Sequence, residues 1–330
     1  MASYLLRLVS IVGVVMLAWT VPRIARIHGI NAVPALWLGV MNPMVILHFV
    51  AGAHNDALMV AATCLALWLA LTNRMTLSIV MAALAVGIKP VAIVVLPFIA
   101  LIIAGLNPSR RRRVGSMLRV AFVAGPILIF SSALVGVGAF GWIGALSTPG
   151  SVRSWLSPST AIGMMWGGFI QILGLGNHTD ITITITRVCG ALALGILLVA
   201  LVLRPNGRSA TRGAAEAFLL LVVLGPVAQP WYLLWAIPLF AATGLSRSQL
   251  RTAIVVTCGF TIHGLANWSA TADTFFELSD GLAILISIAT LSIAIMASSQ
   301  ERGLILGKKI EHGLLPKDAS AQKRAFSQIL

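Results

Sequence analysis

Charge is scarce in this chain: 10% of its 330 residues are Asp, Glu, Lys or Arg, against 58% hydrophobic residues and a mean hydropathy of +0.97. A soluble domain of this length could not clothe its surface with so few charges, so that class is excluded and a polytopic membrane protein is expected. Negative charge is the scarcer sign, with nine Asp and Glu against 23 Lys and Arg, a net charge of +14. Cysteine is also sparse. Cys64, Cys189 and Cys258 all fall within apolar runs, where they read as small packing residues that imply no disulfide framework and no metal site. No internal repeat, low-complexity linker or soluble domain stands out. The opening run from Tyr4 to Val21 is followed by Arg23 and Arg26 and not by a small-residue cleavage site, so a membrane helix is expected there in place of a cleaved signal.

What the chain does have is a series of apolar runs at or near spanning length: 4–22, 33–53, 57–72, 117–139, 181–203, 213–226, 230–244, 252–268 and 280–298, with 76–105 split by Lys89-Pro90. The basic residues occupy the connectors, as the positive-inside rule predicts for cytoplasmic loops, and this pattern argues against a nucleic-acid partner. All the connectors face the cytoplasm under two conditions. Residues 76–88 and 90–105 must form a broken-helix hairpin that turns at Lys89, which Pro90 favours because it removes a backbone donor and disfavours helix at the preceding residue. Residues 155–178 must not cross, so the segment around Gly163-Met164-Met165-Trp166-Gly167-Gly168 is expected to be a re-entrant or interfacial helix. Then 19 of the 23 cations are cytoplasmic, the exceptions being Arg7, Lys89, Arg153 and Arg187. Residues 300–330 form a basic cytoplasmic tail.

Three polar interruptions fall on the opposite, outer face. His54-Asn55-Asp56 separates two apolar runs, and a carboxylate at membrane depth is costly enough to mark a site. The plainer reading is a helix N-cap, although a cap does not require His54, and a helix N-terminus also suits a phosphate or sugar oxygen. Lys89 reads either as a snorkelling side chain or as a ligand of a lipid phosphate. Gln229-Pro230-Trp231-Tyr232 and the loop carrying Arg153 and Trp155 combine amide, guanidinium and aromatic groups that serve equally as interface anchors and as sugar or phosphate contacts. His48, on an apolar stretch, reads as a core histidine.

The segments from Asn42 to Val60, Gly141 to Gly163 and Gly225 to Leu239 resemble the actinobacterial polyprenol-phosphate-mannose-dependent α-1,6-mannosyltransferases, membrane enzymes of the GT-C fold that elongate the mannan core of lipomannan and lipoarabinomannan. The resemblance implies an all-α polytopic GT-C-type bundle in the plasma membrane, with its active face extracytoplasmic. It also implies an inverting transfer from a polyprenyl-phosphate mannose donor to the 6-hydroxyl of a lipid-linked mannan acceptor. On it, Asp56 and His54 are the catalytic candidates, Lys89 and Arg153 the donor-phosphate ligands, and Asn55, Trp155, Gln229, Trp231 and Tyr232 the sugar or acceptor contacts. No cofactor is required by this reading, a divalent metal is left open, and membrane lipids are expected partners. The family's first helix and acidic outer loop have no counterpart here, because the earliest carboxylate is Asp56. Residues 1–299 are therefore expected to be an N-terminally incomplete GT-C-like domain, with activity of this chain alone in question. The alternatives are a lipid or sugar transporter or flippase, whose polar groups would sit nearer the midplane, and a non-catalytic membrane subunit.

Overall fold

The computed structural model describes residues 2–134, 136, 138, 140–144, 152–204 and 207–268. Among them every regular element is a helix, and the chain is an all-α polytopic membrane protein. Three helices are long and apolar enough to cross a membrane: Tyr4–Ile27, Arg110–Leu134 and Thr179–Leu203. A fourth span arises if the bent pair Val45–Ala51 and Asp56–Leu71 counts as one. The run 280–298, the tail 300–330 and the boundary at 299 lie outside the described residues.

The chain divides into two compact units, residues up to Arg74 with those from Ile237 on, and Met75–Ala236. In the first, helix α1 (Ala2–Ile27) packs along α3 (Asp56–Leu71), while α2 (Ala32–Gly39) and α11 (Ile237–Thr243) pack on α1 and on each other. Trp19 of α1 meets Trp68 of α3 edge to face at 4.9 Å. The guanidinium of Arg23 lies 3.7 Å above the Trp19 ring, so the basic connector residue is held against the helix pair. Helix α12 (Arg247–Trp268) reaches the π-helical turn Val45–Ala51.

The continuous span expected over 33–53 is not formed. Asn42 breaks it by donating from Nδ2 to the Leu38 carbonyl at 2.8 Å and accepting at Oδ1 from the Val45 amide at 3.2 Å. Its side chain thus takes hydrogen bonds that a continuing helix would make through its backbone, and Pro43 offers no N–H to restore them. A wide π-helical turn over Val45–Ala51 follows, and the chain then bends by 110° into α3.

In the second unit, α4 (Met75–Ile88) and α5 (Leu96–Ala104) both pack on α6 (Arg110–Leu134). Arg119 Nη1 reaches Met75 Sδ at 3.9 Å at one end, and a Cβ placed on Gly87 would lie 3.9 Å from Ser131 Oγ at the other. Helix α4 therefore runs in the direction of α6, and the short connector 105–109 turns α5 against it. The reversal occurs at Lys89, whose backbone is extended (φ −150°, ψ 117°). This is the hairpin that Pro90 predicts, and it carries Lys89 to the end of the unit away from Arg110–Arg113.

The same local course recurs later. After α10 (Ala210–Leu224), Gln229 is extended (φ −120°, ψ 152°) before Pro230, and a 3-10 helix covers Pro230–Trp235 as another covers Pro90–Val95. Each 3-10 helix leads into a short α-helix with a proline in its first turn, Pro97 or Pro238, and a left-handed glycine after it, Gly105 or Gly244. The repeat escapes a reading of side chains because only the prolines and glycines that set the backbone recur.

Helix α7 (Gly141–Gly144) is a single turn; α8 (Pro158–Ile172) lies against α9 (Thr179–Leu203). A Cβ on Gly163 would stand 2.5 Å from Ile183 Cα, and one on Gly167 2.5 Å from Thr179 Cα, so this Gly-x-x-x-Gly face permits backbone contact. The pairing is antiparallel and uses only the first half of α9. With 15 residues, α8 falls short of the length of a span.

Candidate functional site

In the first unit the His54-Asn55-Asp56 triplet fills the bend between the π-helical turn and α3. Ala53, just before it, has a left-handed φ of 52°, a conformation that costs energy for a residue with a Cβ and is retained where surrounding contacts impose it. Ser10 of α1 donates to the His54 carbonyl at 3.0 Å, pinning the bend to the helix beneath. Asn55 occupies the N-cap position but makes no side-chain cap bond. Asp56 is the first helical residue and is only 1% exposed. A carboxylate there faces the positive end of the α3 dipole. The His48 and His54 ring centroids are 6.4 Å apart, and His263 of α12 is within electrostatic reach of His48. The π-helical turn thus puts a second histidine, His48, near the triplet.

In the second unit the Lys89 ammonium lies 4.8 Å from the Tyr232 ring centroid and 5.1 Å from that of Trp235. The two rings stack at 4.0 Å and 25°. Their register follows from the 3-10 helix, which repeats every three residues and so sets side chains at i and i+3 directly over one another. Trp231 stands edge-on to Tyr232 at 5.8 Å. Lys89 therefore rests on a stacked aromatic face, a placement different from simple snorkelling. Trp235 escaped the sequence reading; its signal is the three-residue spacing from Tyr232 after a proline.

The segment carrying Arg153 and Trp155 is tied to the stretch before Gln229. Ser154 donates to the Ala228 carbonyl at 2.7 Å, Ser157 and Ser159 to that of Gly225 at 2.7 and 3.0 Å, and Thr160 to that of Pro226 at 2.5 Å. These hydroxyls satisfy carbonyls that the end of α10 leaves without helical donors. Arg153 pairs with Asp180 in the first turn of α9, and Trp155 is exposed. Arg187 of α9 donates from Nε to Thr160 Oγ1 at 2.9 Å and from Nη2 to the Val152 carbonyl at 2.5 Å. Lys89 and Arg153, expected to act together, are thus held by different partners, aromatic rings for one and Asp180 for the other. No group of three or more His, Cys, Asp or Glu side chains among the described residues is arranged to hold a metal ion, so a divalent metal finds no ligand set there.

Comparison with known proteins gives a consistent result. Residues 1–105 match the family model described as the alpha-(1->6)-mannopyranosyltransferase N-terminal domain, and residues 159–299 match the MptB C-terminal domain. The chain is 32% identical to the alpha-(1->6)-mannopyranosyltransferase Rv1459c of Mycobacterium tuberculosis, over 88% of this chain and 58% of that protein. It is 33% identical to alpha-(1->6)-mannopyranosyltransferase A of the same organism, over 81% of this chain and 51% of the relative. Against alpha-(1->6)-mannopyranosyltransferase B of Corynebacterium glutamicum it is 30% identical, over 84% and 47%. The chain spans about half the length of these curated relatives. No solved structure matches it.

Proposed function

The chain belongs to the actinobacterial α-(1→6)-mannopyranosyltransferase family, and on that premise we propose that it carries out, or contributes to, mannosyl transfer from polyprenyl-phosphate mannose to the 6-hydroxyl of a lipid-linked α-mannan, in lipomannan and lipoarabinomannan synthesis. The observation that carries this reading is the pair of family-model matches, at 1–105 and 159–299, in chain order. Residues 1–299 act as the membrane domain and 300–330 as a basic cytoplasmic tail. The positive-inside argument puts the active face of the plasma-membrane protein outside.

In the reaction, the acceptor's 6-hydroxyl oxygen attacks the mannose anomeric carbon as the bond from that carbon to the phosphate oxygen breaks, with inversion. The hydroxyl proton passes to a carboxylate, and the leaving polyprenyl phosphate keeps the bonding electrons. Asp56, buried beside His54 at a helix N-terminus, is the acceptor-side carboxylate of this chain. Lys89 and Arg153 stabilise the phosphate. Asn55, Trp155, Gln229, Trp231 and Tyr232 contact sugar or lipid, the aromatic rings offering flat faces to the sugar's C–H surface.

The test is transfer of radiolabelled mannose from polyprenyl-phosphate mannose to a synthetic α-1,6-mannoside, using membranes that contain the chain. A product cleaved by an endo-α-1,6-mannanase is expected, and Asp56→Asn should lower its formation by about 100-fold or more, the scale of a lost general base, at unchanged protein abundance. Transfer that persists at the wild-type rate in Asp56→Asn removes Asp56 from the chemistry.

A further inference from the structure

We infer that the run Arg110–Arg113 at the start of α6, with Arg204 at the end of α9, forms a binding surface for an anionic phospholipid, whose headgroup phosphate lies among the guanidiniums and whose acyl chain follows the exposed face of α6. The inference does not depend on the function proposed above. Helix α6 is long and apolar enough to cross a membrane, so side chains in its first turn stand at headgroup level. Arg113 Nη1 donates to the Leu203 carbonyl at 3.4 Å, which brings the last turn of α9, and Arg204 after it, beside the run. Arg110, Arg111, Arg112 and Arg204 are exposed, and their guanidiniums make no hydrogen bond or ion pair among the described residues.

The unit supplies no counter-charge at this end. Between residues 75 and 236 the only carboxylates are Asp180 and Glu216. Glu216 is engaged by Arg208 at 3.3 Å and Arg212 at 3.4 Å, and Asp180 sits in the first turn of α9, about 36 Å along the helix axis from Arg204. Helix α6 has no acidic residue in its first turn, and cations at the positive end of a helix dipole are disfavoured by it as well as by one another. The positive-inside rule accounts for the side on which such a run lies, but not for its lack of a balancing anion. The face below the run gives the ligand its class. Ser116, Val120, Ala124 and Leu128 are buried against the neighbouring helices, whereas Arg111, Leu118, Phe122 and Ile129, on the opposite side of α6 by their spacing, are exposed. Guanidiniums above an apolar stripe match a lipid with a phosphate head, and a soluble anion would use only the first half of that surface.

The experiment titrates the detergent-purified chain with dioleoyl phosphatidylglycerol and, separately, with dioleoyl phosphatidylcholine, which has the same tails and no net charge, and reads bound lipid by native mass spectrometry. Wild type should prefer phosphatidylglycerol, and the preference should weaken as salt is raised. Removing one cation near a lipid surface lowers binding by about fivefold, so the triple variant Arg110→Gln, Arg111→Gln, Arg112→Gln should lose about 100-fold, and the corresponding triple Lys variant should keep most of the affinity. Inorganic phosphate should compete no better than chloride at equal ionic strength; stronger competition would identify a soluble-anion site and overturn the assignment to lipid. The control is Arg23→Gln, Arg74→Gln, which removes cations that lie over the rings of Trp19 and Trp68. An equal loss per charge in that control would show attraction to net charge alone and overturn the surface. Absence of any preference for phosphatidylglycerol, or an unchanged preference in the triple Gln variant, would leave the run with a role in topology only. Thermal unfolding checks that each variant is folded, and if the triple Gln variant is not, Arg111→Gln and Arg112→Gln singly decide by the fivefold criterion.

Discussion

Removal of the Lys89 charge offers a measurable test of the aromatic platform. Two rings lie within 5.1 Å of the ammonium, inside the reach of a cation–π interaction, which contributes about 0.5–1 kcal/mol when exposed and about 2 kcal/mol when desolvated. Lys89 is half-buried, so an intermediate value applies, and about 1–2 kcal/mol is expected for the coupling to Tyr232. The perturbation is Lys89→Met, which keeps an unbranched apolar stem, paired with Tyr232→Leu and with the double variant. Reversible unfolding of the purified chain in mixed micelles, followed by tryptophan fluorescence, gives the four free energies. Because Trp235 remains in both single variants, the cycle isolates the Tyr232 contribution. The same cycle with Trp235→Leu should give a coupling of similar size, since the two distances differ by little. A coupling below about 0.3 kcal/mol in both cycles, the usual scatter for independent sites, would refute the platform and return Lys89 to the role of a headgroup anchor.

Three further outcomes follow from other parts of the molecule. Gly163→Ala or Gly167→Ala should destabilise the contact between α8 and α9 by about 1–3 kcal/mol, the cost of overpacking, because each new Cβ would come within 2.5 Å of a Cα; Gly168→Ala, with open space around it, serves as control, and proteolysis of the 152–178 segment reads the difference. His28, in the connector after α1, is buried and its pKa is pushed down to about 4 from 6.5 by loss of hydration. The unfolded chain therefore binds the proton that the folded chain refuses, so stability is full above about pH 6.5 and falls as the pH drops toward 4, by roughly 3 kcal/mol at most; the slope of melting temperature against pH should flatten in His28→Gln. In a cysteine-free background, an impermeant thiol reagent should label cysteine at position 89, and not at 111, from outside intact cells, because Lys89 is carried to the end of its unit away from Arg110–Arg113; labelling at 111 would reverse the orientation.

The comparison of sequence with structure turns on the range over which each interaction acts. The break at Lys89 was legible because it is local: the ring of Pro90 collides with a helical conformation at the preceding residue whatever the rest of the chain does. Helix α10 likewise ends at Leu224, where Gly225 precedes Pro226 and is extended. The interruption at Asn42-Pro43 obeys the same chemistry yet was hidden within the apolar run 33–53, since hydropathy does not register a side chain that competes with the backbone for hydrogen bonds. The Gly-x-x-x-Gly face of α8 was also present in the sequence, but a glycine spacing does not name the helix it will meet.

By itself, then, the sequence determined the membrane class, the basic connectors, the proline-broken helix at Lys89 and the residue types available for chemistry, because composition and short-range sterics act before the chain folds. Tertiary structure alone decided the partners. Lys89 rests on rings more than 140 positions away, Arg187 anchors on Val152 and Thr160, and the hydroxyls of 154–160 close on carbonyls of 225–228. A buried or half-buried polar group must be satisfied by whatever the packing of apolar helices brings beside it. Hydrophobic packing is non-directional along the sequence, so the identity of that neighbour is written only in the folded arrangement.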